Sequence, residues 1–227
     1  MPERRKVFVT GGTGYMGQRM IAILLARGHS VTAVARENSR GKLPRGCSTV
    51  EGNALDHRSY VSQIAPADTF VHLVGIAHPS PAKAQQFREI DFVSAVEAFQ
   101  AAKTAAIQHF VYVSVAHPAP AMKAYVAVRS ECEQKLQESG LNGTVLRPWY
   151  VLGPGHRWPY LLLPMYWICE RLPWTREGAR RLGLVTLPQM VSALVSAVES
   201  PHQGWHVIEV PEIRQASTSV MQHAARA

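Results

Sequence analysis

Cysteine, acidic residues and long apolar runs are all scarce in this chain. Three cysteines in 227 residues, odd in number and widely spaced, exclude a disulfide scaffold and show no zinc or redox spacing: they are Cys47, Cys132 and Cys169. The apolar run Val7–Val9 is too short for the core of a signal peptide. Pro159 and Pro164 interrupt the longest apolar stretch, 158–169, which is too short to span a membrane. We therefore expect a cytoplasmic protein with no integral membrane segment.

The composition is that of a globular protein. Apolar residues make up 47% of the chain and charged residues 18%, which excludes the collagen-like, coiled-coil and intrinsically disordered classes. A chain of this length buries roughly 70% of its unfolded surface, which is enough for a hydrophobic core without disulfides. We expect a single domain.

The positive charge is concentrated at the amino end. The net charge is +8, and residues 1–45 carry nine Lys and Arg against only Glu3 and Glu37, a local net charge of +7. Such a segment can bind nucleic acid, form a solvated surface, or attract a phosphate-bearing cofactor. The sequence motif within residues 1–45 distinguishes between these alternatives.

Short β-branched runs alternate with longer helical stretches along the chain. This alternation predicts an α/β fold with a doubly wound parallel sheet, covered by helices on both faces. The predicted strands are Lys6–Thr10, Val31–Ala35, Ser48–Glu51, Thr69–Val74, Phe110–Ser114, Thr144–Arg147 and His206–Val210, and the predicted helices are Gly17–Arg27, Phe87–Thr104 and Ala124–Glu138.

A glycine-rich turn between the first strand and the first helix is the strongest local signal. Its sequence is Thr10-Gly11-Gly12-Thr13-Gly14-Tyr15-Met16-Gly17. The glycines at 11, 14 and 17 allow a tight turn, a close approach of the backbone to a pyrophosphate, and packing of the helix on the strand. Because the helix begins here, its free N–H groups face the phosphate. The turn predicts a dinucleotide site.

The end of the second strand indicates which dinucleotide binds. An acidic residue there bonds the ribose 2′-hydroxyl of NAD, whereas an arginine accommodates the 2′-phosphate of NADP. Arg36 occupies that end, and Arg40 and Lys42 follow it. Glu37, an acidic residue next to Arg36, argues against NADP. We favour NADP over NAD. Nucleic acid becomes a minor alternative, since no stacking or groove-entering motif supports it.

Several landmarks together resemble the short-chain dehydrogenase/reductase superfamily, in its atypical and extended members. That group includes epimerase/dehydratase-like and nitrogen-regulator-like NAD(P)-binding Rossmann proteins. The landmarks are TGGTGYMG at 10–17, Gly52-Asn53-Ala54-Leu55-Asp56, His72-Leu73-Val74-Gly75, Phe110–Ser114 and Leu146–Gly155. The resemblance implies a cofactor-binding core over 1–155 and a substrate-covering or packing segment over 156–227.

The same resemblance implies which residues contact the cofactor. They are Gly11, Thr13, Gly14, Tyr15, Met16, Gly17, Arg36, Asn53, Ala54, Val74, Gly75, Tyr125, Arg129, Pro148 and Val151. Asn53 stands where the family usually has an aspartate, and its amide can still bond the edge of an adenine.

The resemblance also implies the catalytic positions, and here the chain departs from the family. Active members use a tyrosine, a lysine four residues later and a serine; the matching residues are Tyr125, Arg129 and Ser114. An arginine keeps the positive charge but cannot take part in a proton relay. The family's serine falls nearer Ala116, so Ser114 would act from two residues back. Packing for Tyr125, and a surface position or an ion pair with Glu133 for Arg129, are the alternatives.

Other candidate groups are weaker. His72, His78 and His117 lie near strand ends, where one of them could act as an acid or base, but a structural role is the alternative for each. Their spacing gives no metal site. The aromatic stretch 158–174 could line an apolar pocket, pack on the sheet or a partner subunit, or, with the arginines that follow it, contact a membrane surface.

Three functional hypotheses follow. The first is an NADP-dependent oxidoreductase acting on a small carbonyl or alcohol. The second is a protein that senses NADP(H), or holds it structurally, without turnover. The third, a nucleotide-sugar epimerase or dehydratase, is disfavoured because the region after residue 155 is short. The expected partner is a small-molecule substrate, and a homodimer is left open.

Overall fold

The computed structural model describes residues 3–154, 171–172 and 175–216. Seven parallel strands form the main sheet in the order β3-β2-β1-β4-β5-β6-β9, and β7 pairs with β8 in a separate two-stranded parallel sheet. The strands are β1 Lys6–Thr10, β2 Ser30–Ala35, β3 Ser48–Glu51, β4 Thr69–His72, β5 His109–Val113, β6 Gly143–Arg147, β7 Tyr150–Leu152, β8 Leu184–Thr186 and β9 Trp205–Glu209. The predicted doubly wound sheet is confirmed.

Six α-helices have both ends within the described ranges, and residues 210–216 are also helical. They are α1 Gly17–Ala26, α2 Ala84–Gln86, α3 Val93–Thr104, α4 Lys123–Glu138, α5 Arg176–Arg181 and α6 Leu187–Glu199. A π-helical segment, Phe87–Phe92, joins α2 to α3, so the prediction of one regular helix over 87–104 is wrong in its first part. In the part of the chain that the structure describes, no helix is long and apolar enough to cross a membrane.

The sheet separates two apolar layers because side chains alternate between its faces. Val7, Val9 and Val71 pack on one face with α1 and α6. Phe8, Phe70 and Phe110 pack on the opposite face with α3 and α4, and their rings lie 5.4 Å and 5.1 Å apart in successive pairs. β4 and β5 are buried along their whole length and β1 is buried from Val7 to Thr10, which explains why these strands are mostly apolar.

The strand order places a crevice above the boundary between β1 and β4. From β1 the chain proceeds to β2 and β3 on one side, and then returns to β4, β5 and β6 on the other. Loops leaving β1 and β4 at their carboxyl ends therefore diverge, and ligands of open α/β sheets bind at such a point. The glycine-rich turn follows β1, so the fold brings it to this crevice.

His72 ends β4 and is completely buried. Its Nδ1 lies 2.8 Å from the hydroxyl of Thr10, and its Nε2 lies 3.4 Å from the hydroxyl of Ser94. Burial, reinforced by the charge of Arg129, lowers the pKa of His72 from 6.5 to about 3. This histidine is therefore neutral at physiological pH and bonded on both ring nitrogens, which favours its structural role over acid–base chemistry.

The buried histidine should make stability depend on pH in a specific window. Below pH 6.5 the unfolded chain protonates His72, but the folded chain does so only near pH 3, so this residue lowers stability by up to about 1.4 kcal/mol per pH unit as the pH falls. We expect His72→Asn to be destabilising at pH 7, and its deficit relative to the unmodified protein to shrink by about 2–3 kcal/mol between pH 6.5 and 4.5.

Urea unfolding of both proteins between pH 6.5 and 4.5 measures the difference in their free energies of unfolding. Because both proteins have the same carboxyl groups, the pH dependence due to those groups cancels in the difference. A deficit that stays constant with pH would show that the folded protein protonates His72 normally.

Candidate functional site

The glycine-rich turn is built so tightly that side chains cannot replace Gly11 and Gly17. Gly11 has φ +80°, and a Cβ there would lie 2.7 Å from the carbonyl carbon of Leu73 and 2.8 Å from the nitrogen of Val74. A Cβ on Gly17 would lie 2.6 Å from the oxygen of Gly11. The first turn of α1 has no side-chain cap, so its N–H groups are available to a phosphate.

A cleft of about 360 Å³ runs along this turn and across the carboxyl ends of β2, β3 and β4. Eight of the residues expected to contact the cofactor line it: Gly11, Thr13, Gly14, Arg36, Asn53, Ala54, Val74 and Gly75. The backbone cradle, the helix start and the elongated lining fit a dinucleotide, with the glycine turn holding its pyrophosphate.

The other expected cofactor residues lie next to the cleft or behind it. Tyr15 extends away from the turn, where a Cβ on Gly153 would clash with its hydroxyl. Met16 and Val151 pack against the apolar layer that contains α1. The carbonyl of Pro148 accepts a hydrogen bond from the nitrogen of Ala116 at 2.9 Å.

Two basic residues after β2 are in different situations. Arg36 is exposed, lines the cleft together with Ser39, and its side chain makes no ion pair or hydrogen bond to any described residue. Arg40 instead bonds the carboxylate of Glu51 at 2.5 Å. Glu37 is exposed and is outside the cleft lining. Of these two arginines, only Arg36 lines the cleft, and its side chain has no partner among the described residues.

Arg129 is buried beneath the cleft wall and pairs with Asp91. Its Nη2 lies 2.5 Å from Oδ1 of Asp91, and its Nη1 donates to the carbonyl of Val113 at 3.0 Å and to the hydroxyl of Tyr112 at 3.2 Å. The alternative of a surface position or a pairing with Glu133 is wrong, since Arg129 is buried and Asp91 is its partner. A Cβ on Gly75 would clash with Nη2, so the glycine allows the cleft wall to lie directly on the guanidinium.

Asp91 comes from the π-helical segment and is fully buried. Its second oxygen accepts the backbone N–H of Ile76 at 3.1 Å. Burial raises the pKa of the Asp91 carboxyl, and the guanidinium of Arg129 and this N–H oppose the rise. Sequence reasoning missed Asp91, although an acid inside the apolar run Ile90–Val93 is a signal that it has a buried partner.

Tyr125 lies one helical turn before Arg129 on α4 and is half-buried. Its ring centroid is 4.9 Å from that of Phe87 and 5.3 Å from the guanidinium carbon of Arg129. The fold therefore brings the tyrosine, the permanent charge of the arginine and the Gly75 end of the cleft together. Chemically, this arrangement offers a phenol held beside a fixed cation.

His117 and Arg147 form a neighbouring charged network around Glu133, and Ser114 lies outside it. Glu133 accepts hydrogen bonds from Arg147 and lies 3.4 Å from Nε2 of His117. Although burial raises the pKa of Glu133, hydrogen bonds from His117 and Arg147 lower it below its ordinary value overall. The hydroxyl of Ser114 is buried and has no hydrogen-bond partner among the described residues.

The remaining candidates do not form a site. His78 is exposed, and its carbonyl accepts a hydrogen bond from Lys83. Asp56, His57 and Glu97 approach each other within 4.8 Å, but His57 bonds Glu97 through both its backbone nitrogen and Nδ1, which accounts for the cluster without an ion. The aromatic stretch 158–174 lies outside the described residues except for 171–172.

Two curated relatives are reductases of low identity. A "3-diazoavenalumate denitrifying reductase" of Streptomyces sp is 28% identical, and the match covers 88% of this chain and 74% of the relative. A "2-alkyl-3-oxoalkanoate reductase" of Stenotrophomonas maltophilia is 25% identical, covering 78% of this chain and 58% of the relative. The chain thus spans only part of each relative's length.

Solved structures share the fold. The NAD⁺ complex of the enzyme WbmH of Bordetella bronchiseptica superposes with a TM-score of 0.68 at 25% identity, covering 98% of this chain and 82% of that one. A short-chain dehydrogenase/reductase superfamily protein of Agrobacterium tumefaciens with bound NAD gives a TM-score of 0.63 at 13% identity, covering 97% and 98%. The superfamily resemblance is confirmed at the level of the fold.

A match to a known family covers the region of the chain that contains the cleft. Residues 11–156 match the family described as NAD(P)H-binding, and this match runs from the glycine turn through β7. Because it covers more than half of the chain, the protein belongs to the NAD(P)H-binding family.

Proposed function

We propose that this protein is an NADPH-dependent reductase of a small carbonyl compound. The observation that carries the proposal is the continuity of the site: the cleft extends from Arg36 to Gly75, Gly75 lies against the guanidinium of Arg129, and the carbon of that guanidinium is 5.3 Å from the ring centroid of Tyr125. The names of both curated relatives describe reductases. The name of the second denotes a carboxylate that carries a ketone, which supports a carbonyl as the reducible group.

The preference for NADPH over NADH rests on Arg36. Its side chain is exposed, lines the cleft and has no competing acidic partner among the described residues, whereas Arg40 is paired with Glu51. An arginine at the end of the second strand accommodates a 2′-phosphate. A charge-assisted bond to that phosphate is absent with NADH, so it discriminates between the two cofactors.

Tyr125 is the proposed proton donor, and NADPH, when bound, supplies the hydride. The Tyr125 side chain is half-buried, and its ring lies between Phe87 and Arg129. Arg129 acts as a positioning residue: Asp91, Tyr112 and Val113 fix its guanidinium, which in turn packs against the tyrosine ring. No proton passes through Arg129, since a guanidinium remains protonated.

The burial of Arg129 also favours a second candidate, a protein that binds NADP(H) without turnover. Its guanidinium is almost completely buried and bonds three groups of the protein, whereas a residue that holds a ribose must present its donors to the cleft. The two candidates share the cofactor site and differ in whether Tyr125 is needed for a reaction.

Arg36→Ala tests the cofactor preference. Loss of one charge-assisted hydrogen bond should weaken NADPH binding about 10- to 100-fold and leave NADH binding within about twofold, since NADH lacks the 2′-phosphate. Titration followed by nicotinamide fluorescence measures both dissociation constants. Arg45→Ala, an exposed arginine outside the cleft lining, is the matched control. Equal weakening of both cofactors would contradict the assignment.

Tyr125→Phe tests the proton donor. Removing a general acid should lower the rate of reduction of 3-oxodecanoate about 10²- to 10⁴-fold, while the affinity for NADPH stays within about twofold because the ring and its packing remain. NADPH oxidation and nicotinamide fluorescence give the two quantities. A variant that reduces the ketone at the original rate would exclude Tyr125 as the donor, and NADPH binding without turnover in the unmodified protein would favour the second candidate.

A further inference from the structure

The loop that follows β2 brings a hydroxyl group to the same part of the cleft as Arg36. The carbonyl of Arg36 accepts the backbone N–H of Ser39 at 2.8 Å, where the chain enters a 3₁₀-helical segment, Glu37–Lys42. Because the chain turns sharply here, Arg36 and Ser39 both line the cofactor cleft. The proposed function uses Arg36 and gives Ser39 no role.

The side chain of Ser39 is available to a ligand. Ser39 is half-buried, and its hydroxyl makes no hydrogen bond within the ranges that the structure describes. Four residues of the cleft lining have polar side chains: Thr13, Arg36, Ser39 and Asn53. Thr13 belongs to the glycine-rich turn and Asn53 follows β3, so Ser39 is the neutral donor that shares a loop with Arg36. A phosphate beside Arg36 would therefore find a hydroxyl donor in the same loop.

An acidic residue lies close to this pair of donors. In the register of β2 and β3, Glu51 is opposite Ala35, the residue directly before Arg36. Gly52 and Asn53, which follow Glu51, line the cleft. An uncompensated carboxylate at this position would repel a phosphate bound beside Arg36, because like charges within a Debye length repel each other.

Arg40 neutralises this carboxylate. Its Nη2 lies 2.5 Å from Oε2 of Glu51, so the two charges cancel at short range. Since Arg40 directly follows Ser39, the same ion pair ties the loop to the end of β3. The side chains of Arg40 and Glu51 are 47% and 58% exposed, and ion pairs so exposed contribute little to stability. The pair can therefore be altered in a folded protein, which makes its effect on binding measurable.

We propose that Ser39, together with Arg36, binds the 2′-phosphate of NADPH. Arg40 is a positioning residue for this subsite: it neutralises Glu51 and holds the loop, and it does not bind the phosphate. The inference rests on the proposed function and deepens its cofactor preference. The hydroxyl of Ser39 donates to a phosphate oxygen, and such a bond to a charged group is stronger than one to the neutral 2′-hydroxyl of NADH.

Ser39→Ala tests the proposed phosphate ligand. Loss of one hydrogen bond to a charged group should raise the dissociation constant of NADPH about tenfold. The dissociation constant of NADH should stay within about twofold, because NADH has no 2′-phosphate. Nicotinamide fluorescence measures both constants. Unchanged NADPH binding, or equal weakening of both cofactors, would overturn the role of Ser39.

Two matched serine variants separate the loss of the hydroxyl from other effects. Ser39→Thr keeps a hydroxyl at the same position and should recover most of the preference for NADPH. Ser48→Ala removes an exposed hydroxyl at the first residue of β3, outside the cleft lining, and should leave both dissociation constants unchanged. A threonine variant as weak as the alanine variant would show that the hydroxyl is not the ligand.

Rescue by a second substitution tests the role of Arg40. Arg40→Ala leaves Glu51 uncompensated and should weaken NADPH binding about threefold to tenfold, without a comparable change for NADH. Arg40→Ala/Glu51→Gln removes the acid as well and should restore NADPH binding to within about twofold of the unmodified protein. Arg45→Ala, which removes an equal charge outside the cleft lining, should have no effect. A double variant as weak as Arg40→Ala would mean that Arg40 itself binds the phosphate, and would overturn its positioning role.

A pair of ligands without nicotinamide separates this inference from the reductase activity. Adenosine 2′,5′-bisphosphate and adenosine 5′-monophosphate differ only in the 2′-phosphate, and calorimetry compares their binding without a substrate. Ser39→Ala should weaken the bisphosphate about tenfold and leave the monophosphate unchanged. This result supports the subsite even if the protein reduces no carbonyl compound.

Two outcomes of the same calorimetry would overturn the inference, and they differ in what they say of the proposed function. If the bisphosphate preference is lost in Arg36→Ala but unchanged in Ser39→Ala, the NADPH preference stands and the role of Ser39 is excluded. Equal affinity of the unmodified protein for the two ligands would overturn both the NADPH preference and the subsite.

Discussion

The buried ion pair between Asp91 and Arg129 is the interaction on which the geometry of the site depends. It joins the π-helical segment to α4, and through the carbonyl of Val113 it is tied to the end of β5. Both partners are almost completely removed from water, so loss of either would leave an unpaired buried charge, which typically costs about 3–5 kcal/mol. Gly75, Tyr112 and Tyr125 are all arranged around this pair.

The pair also explains the departure from the lysine of the wider superfamily. A guanidinium presents donors in a planar fork and can serve Asp91, Tyr112 and Val113 at once. An ammonium in the same place is a compact, strongly hydrated charge with a different donor geometry. The arginine thus contributes a fixed charge and a rigid support beneath the cleft wall, and Tyr125 remains as the group with a transferable proton.

Regular elements were well predicted from the sequence, whereas polar partners were not. The runs Lys6–Thr10 and Ser48–Glu51 form strands with the predicted bounds, because β-branched residues between turn residues are typical of strands. The glycine turn was recognisable because φ above zero and close backbone contacts demand glycine at fixed spacing. Asp91, Ser39 and the π-helical segment were missed, since neither periodicity nor composition reports on which side chains meet across elements.

The sequence by itself determined the class of fold, the position of the dinucleotide turn and the basic residue at the end of β2, because these depend on neighbours within a few residues along the chain. Only the tertiary structure decided the partner of Arg129, the pairing of Arg147 with Glu133, and the burial of His72 between Thr10 and Ser94. The physical reason is the parallel sheet: residues far apart in sequence meet where the carboxyl ends of its strands share an edge.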